Sequence, residues 1–98
     1  MTRSFPKEKV FGLTANLRRA ATSVALNIAE GAGRGSKRDF VRFLDIATGS
    51  VFETIAIFII ADRLGYMDQG TLSELREHAD RLARKLNSFK RTLSSDQR

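Results

Sequence analysis

The chain has 98 residues, no cysteine and a net charge of +6. That length holds one domain, which buries only a modest share of its own surface and gains from assembly. Without cysteine there are no disulfides, thiol nucleophiles or zinc–thiolate sites, and 42% hydrophobic against 29% charged residues excludes a disordered tail.

The positive charge is uneven. Residues 1–35 carry +4, residues 36–65 carry 0 and residues 66–98 carry +2. The sequence pI is near 10.5, which permits binding to a polyanion without requiring it. The N-terminus runs through Phe5-Pro6 into Lys7-Glu8-Lys9 with no apolar h-region. The longest apolar run, Ile55 to Ala61, is far short of the roughly 20 residues that cross a bilayer, and Glu53 and Asp62 flank it. The expectation is a soluble, cytoplasmic protein that spans no membrane.

A first helix is predicted from about Thr14 to Glu30. Leu13, Leu17, Ala20, Ala21, Val24 and Ile28 recur at steps of three and four, as one helix face requires. Gly31-Ala32-Gly33-Arg34-Gly35 ends it, since glycine readily takes the left-handed conformation there. A second helix is predicted from Ser36 to about Leu64. Ser36 caps its start with Asp39 as a capping-box variant, and Gly65 stops it. Phe40, Leu44, Ala47, Val51 and Phe58 form one stripe, widened by Phe43, Ile46, Ile55, Ile57, Ile59 and Ile60. Its last three turns are apolar nearly all round, which demands burial all round and points to a subunit interface.

A third helix is predicted from Thr71 to Leu93, opened by a Thr71…Glu74 capping box. Leu72, Leu75, Ala79, Leu82, Leu86, Phe89 and Leu93 alternate steps of three and four, a heptad seam. Ser94 to Arg98 reads as a frayed polar tail. The expected fold is therefore all-α: an antiparallel helical bundle of three helices in one domain over residues 1–98, completed by oligomerisation. The interface candidates are Ile55, Phe58, Ile59, Leu82, Leu86 and Phe89.

Catalytic and cofactor sites are not expected. His78 is the sole histidine and Leu75 precedes it by three residues, so no Glu-x-x-His metal pair forms, and no serine has a base and acid to serve it. Glu53, which interrupts an apolar helix, is expected to pair with Arg18 or Arg19, ahead of the alternative that it sits on a polar stripe facing an oligomer channel. The glycine loop follows a helix rather than a strand, which weakens a nucleotide reading. A softer anion site joins Arg34, Lys37 and Arg38 to the free amides at the start of the second helix. Against it stands solvation of these side chains, which is the favoured reading. Arg18 and Arg19 form a second basic pair on the polar side of the first helix, with Asn16, Ser23 and Asn27 along it. Aromatics are not interleaved with these charges, so RNA or DNA bound here would be held through phosphates with low sequence specificity.

Phe5-Pro6-Lys7-Glu8, Phe11-Gly12-Leu13-Thr14, Leu17-Arg18-Arg19-Ala20-Ala21 and Asn27-Ile28-Ala29-Glu30-Gly31 form a recognisable pattern. So do Phe40, Phe43-Leu44, Ile46-Ala47, Gly49-Ser50 and Glu53, and then Leu64-Gly65-Tyr66. From Phe5 to about Leu93 the chain resembles the bacterial four-helix-bundle proteins named after open reading frames in intervening sequences of 23S ribosomal RNA genes. The resemblance implies a ring-like homopentamer. It also implies kinship with the accessory variability protein of diversity-generating retroelements, which associates with a reverse transcriptase and RNA. It carries over no catalytic residue and no cofactor. Members have a further helix before the Phe-Pro turn, where this sequence has only Met1 to Ser4. The corresponding expectation is three helices exposing a groove where that helix lies, open to a partner protein's helix.

Overall fold

The computed structural model describes residues 7–95, with side chains placed from residue 10 to residue 94. The Phe5-Pro6 part of the sequence pattern and the last three residues of the polar tail lie outside that range. The described residues form three helices and no strand: α1 (Lys7–Ala32), α2 (Lys37–Arg63) and α3 (Gln69–Ser95).

The helix α1 begins seven residues before the expected Thr14. Gly12 interrupts the apolar periodicity without breaking the backbone, and Thr14 Oγ1 bonds the Val10 carbonyl at 2.9 Å within the helix. At the far end the Gly33 amide bonds back to the Ala29 and Glu30 carbonyls, and Gly35 takes φ +81°. Ser36 caps α2 as expected, its hydroxyl accepting from the Asp39 amide at 3.0 Å. The helix closes in a Schellman motif. The Tyr66 amide bonds Ala61 O, the Gly65 amide bonds Asp62 O, and Gly65 takes φ +81°.

The start of α3 corrects the sequence reading. The cap is Asp68, whose carboxylate accepts from the Thr71 amide at 2.7 Å, and Thr71 lies inside the helix. The D-x-x-T spacing three residues upstream of T-x-x-E satisfies the same orphan amides with a charged acceptor, which is the stronger interaction at a helix N-terminus.

The central helix packs against both others, and among the described residues no Cα atom of α1 comes within 8 Å of one in α3. Along α1 and α2 the meeting pairs are Arg19–Glu53, Ser23–Ser50 and Gly31–Phe43. Along α2 and α3 they are Asp62–Gln69, Asp45–Lys90 and Phe40–Phe89. The Cα framework spans 62 × 23 × 12 Å, and the three described helices lie in a single layer. By length and composition, α2 is the one described helix apolar enough to cross a membrane, with 39% of that stretch buried. It supplies Leu44, Ala47, Val51 and Ile55 to a core shared with Ala79, Ala83 and Leu86 of α3.

Two polar details fix how α1 lies on α2. Gly31 is buried where α1 crosses Phe40 and Phe43, so closely that a methyl group there would lie 2.8 Å from Phe43 Cβ. Ser50, the one buried polar residue of the core, exchanges a 2.8 Å hydrogen bond with Ser23 Oγ. Asn27 Nδ2 donates to the Ser23 carbonyl at 2.8 Å and to Ser23 Oγ at 3.0 Å. Ser23 and Asn27 therefore belong to the helix interface rather than to a solvated polar side.

Candidate functional site

Since α1 and α3 stand apart across α2, one face of the layer is a trough. Its central part, about 410 Å³, is floored by Val51, Thr54 and Phe58 of α2. Ala21, Val24, Ala25 and Ile28 wall it on one side, and Leu75, His78, Ala79 and Leu82 on the other. Toward the start of α1 it continues, past the shared Phe58, into a smaller cleft of about 190 Å³ bounded by Val10, Leu13, Leu17, Tyr66 and Met67. From Val10 to Ile28 the wall runs 18 residues, about 27 Å of helix. The Thr54 hydroxyl is spent on the Ser50 carbonyl at 2.9 Å, so His78 on the rim is the one ionisable group in the central part. The lining is otherwise apolar.

The expected interface residues divide. Ile55, Phe58 and Leu86 are buried within the single chain, and Ile59 packs partly buried against its core. Leu82 and Phe89 remain 38% and 43% exposed. The contact stripe of α3 is Ala79, Ala83 and Leu86, because alanines let the helix backbones approach closely; this turns Leu82 to the trough, while Phe89 keeps an edge-on contact with Phe40 of α2. Sequence reasoning missed the most exposed apolar residues, Phe11, Leu26, Phe52 and Ile60. Phe52 and Ile60 lie in the α2 run that is apolar nearly all round, and that signal pointed to them as a group.

The basic residues do not gather into one cluster. Arg19 pairs with Glu53 at 2.7 Å, the partnership expected for Glu53, with both side chains largely exposed. Arg34 pairs with Glu30 at 2.9 Å and also lies 5.0 Å from the Phe43 ring centroid. Arg42 lies at the same distance from that ring, so the two guanidinium carbons are within 10 Å of each other. Arg38 and Arg42 line an open depression with Asp39 and Asp45, and Asp45 is held by Lys90 at 2.8 Å. Lys37 is exposed beside them, in the first turn of α2. Arg18 lies well away from this end, in a shallow surface pocket with Thr22, Leu26 and Asn27. The arrangement thus holds Arg34, Arg38 and Arg42 together at the α1–α2 turn and leaves Arg18 and Arg19 apart. Asp68 is the one described side chain whose pKa shifts clearly. Hydrogen bonds from the Thr71 amide and hydroxyl, and from the Gly70 amide, lower it below its ordinary value. Among the described residues, no group of three His, Asp or Glu side chains is placed to hold a metal ion.

Residues 1–88 match the family described as 23S rRNA-intervening sequence protein. No curated protein matches the chain.

Proposed function

We propose, from the premise that this chain belongs to the 23S rRNA-intervening sequence protein family, that it works without catalysis as a homo-oligomeric helical scaffold in the cytoplasm. The observation that carries this reading is the missing second layer. A stable domain packs two layers of secondary structure around one core. Here the backbones of α1 and α3 each approach only that of α2, and an apolar trough lies between them. Copies of the same chain supply the missing layer in an antiparallel bundle, and a ring of five is the assembly that the family resemblance suggests. Light scattering behind a sizing column, at low and high salt, tests the proposal. A salt-independent oligomer supports apolar assembly, and a monomer at all accessible concentrations overturns it.

A second role is favoured by Arg34, Arg38 and Arg42 standing together at one end of the layer. In this reading the scaffold holds RNA or DNA weakly through phosphates. Binding of a labelled DNA duplex then weakens steeply between 50 and 200 mM salt, by roughly 0.9 decades per decade of salt for each phosphate neutralised. Arg38→Glu abolishes it, and binding indifferent to both changes removes this role. The alternative, a module whose trough accepts a helix from a different protein, rests on the same trough.

A further inference from the structure

The fold gathers the charge of the chain at one end. Phe40 meets Phe89 and Asp45 meets Lys90, so the start of α2 lies beside the end of α3, with the α1–α2 turn next to them. Residues 30–45 and 84–91, which make up this end, carry eight Lys/Arg and three Asp/Glu, a net +5. The rest of the described chain, residues 7–29, 46–83 and 92–95, carries seven of each and is neutral. In sequence the same cations are divided between a turn and two separate helices.

They also share a face. An α-helix turns about 100° per residue, so side chains two apart point in nearly opposite directions. Leu82 faces the trough. Phe89, two turns further on, shares that side of α3 and meets Phe40 of α2. Arg84 and Arg91, two residues after Leu82 and Phe89, therefore stand on the face opposite the trough. Arg38 and Arg42, two residues before and after Phe40, stand on that same face. All four are exposed, and none has an ion-pair partner among the described residues. Arg34 joins them through the Phe43 ring, which it shares with Arg42 at 5.0 Å. Of the three carboxylates at this end, Glu30 is held by Arg34 and Asp45 by Lys90, and Asp39 lines the depression beside Arg38.

From this placement we infer that the phosphate site is a face rather than a turn: Arg84 and Arg91 of α3 extend Arg34, Arg38 and Arg42 into one surface for double-stranded nucleic acid. The inference rests on the second role proposed above and adds two residues to it. Packed helices lie about 8–10 Å apart, so the surface from the turn to α3 is about 16–20 Å wide. Along the helices, Arg38 and Arg42 are about 6 Å apart, and Arg84 and Arg91 about 10 Å. A duplex strand advances about 3.4 Å per phosphate, so several successive phosphates lie over such a surface at once. The guanidinium fork matches phosphate oxygens, and the packing of α2 holds all five groups on one rigid platform.

Salt dependence counts the cations engaged. Each phosphate neutralised adds about 0.9 to the slope of log affinity against log salt. Five arginines give a loss of about 500-fold between 50 and 200 mM salt for each chain bound, and the three at the turn give about 40-fold. Fluorescence anisotropy of a labelled DNA duplex compares the unmodified chain, a double variant carrying Arg84→Gln and Arg91→Gln, and Arg76→Gln as a control on the neutral part of α3. Circular dichroism verifies each fold. The double variant is expected to keep about three fifths of the unmodified slope, whatever the number of copies on the duplex, and Arg76→Gln all of it. Arg84→Ala with Arg91→Ala repeats the measurement if the glutamine variant unfolds. A double variant with the unmodified slope overturns the inference, and leaves the turn site standing where Arg38→Glu still abolishes binding. An unmodified chain that binds anionic phospholipid vesicles but not the duplex overturns both, as does one that binds neither.

Discussion

Replacing Gly31 by alanine tests the packing that sets α1 on α2. The new carbon would lie 2.8 Å from Phe43 Cβ, 2.9 Å from Phe40 Cδ1 and 3.4 Å from the Phe40 carbonyl oxygen. Carbon atoms pack best at about 3.5–4.0 Å. The Phe40 ring can swing aside, but Phe43 Cβ is fixed to its backbone, so the two helices must part by several tenths of an ångström. Overpacking of this kind costs about 1–3 kcal/mol. Alanine's better helix propensity returns at most about 1 kcal/mol, and less at the penultimate residue of a helix. The net expectation is a loss of about 1–2 kcal/mol, with the melting temperature falling by about 4–8 °C for each kcal/mol. Gly12→Ala is the matched control, because nothing lies within 4 Å of a carbon added there, and it should gain up to about 1 kcal/mol. Urea unfolding followed by circular dichroism, at one fixed protomer concentration because assembly shifts apparent stability, measures both. A Gly31→Ala protein as stable as the unmodified chain would refute the close approach of the two helices.

Leu44 is 1% exposed in the core, so Leu44→Ala should cost about 2–5 kcal/mol in the same unfolding assay. Ser50→Ala removes a buried hydroxyl pair but leaves Ser23 bonded to Asn27, and should cost about 1 kcal/mol, with a Ser23→Ala/Ser50→Ala double variant costing less than the sum of the singles. The Asp68 carboxyl is lowered below its ordinary value of 3.8 in the folded chain by hydrogen bonds from Thr71 and Gly70. Its contribution is present above the unfolded pKa and is lost as pH falls through the lower folded value. Thermal scans from pH 6 down to pH 2 should therefore show a fall below about pH 4 that is smaller in Asp68→Asn. Glu53→Gln should cost no more than about 1 kcal/mol, since its bond to Arg19 is largely exposed.

Much of the fold is legible from spacing alone. Steps of three and four place all three helices, and Ser36 and Gly65 mark the ends of α2 because cap chemistry is local to a few residues. The start of α1 is not legible, since Gly12 and the charged Lys7-Glu8-Lys9 break the apolar rhythm without breaking the helix. On α3 periodicity reveals an apolar stripe but not which part of it meets α2, so Ala83, a small residue outside the leucine seam, lies in the contact while Leu82 faces the trough. The candidate site is harder still. Side chains that look solvated on a wheel, such as Ser23 and Asn27, turn out to bond at the helix interface. The trough depends on α1 and α3 staying apart, which no local pattern encodes.

That separation also governs how the chain finds its structure. Among the described residues, every close backbone approach between helices joins helices adjacent in sequence, so none requires closing the loop between the two ends of the chain. Relative contact order is low, which places folding on the fast, helical end of the kinetic range. Either hairpin turn can nucleate, and the other helix then adds by zipping onto α2, as neighbouring units do in a repeat protein. Hydrogen exchange should accordingly show α1 and α3 opening independently while α2 keeps one neighbour in either partly open form.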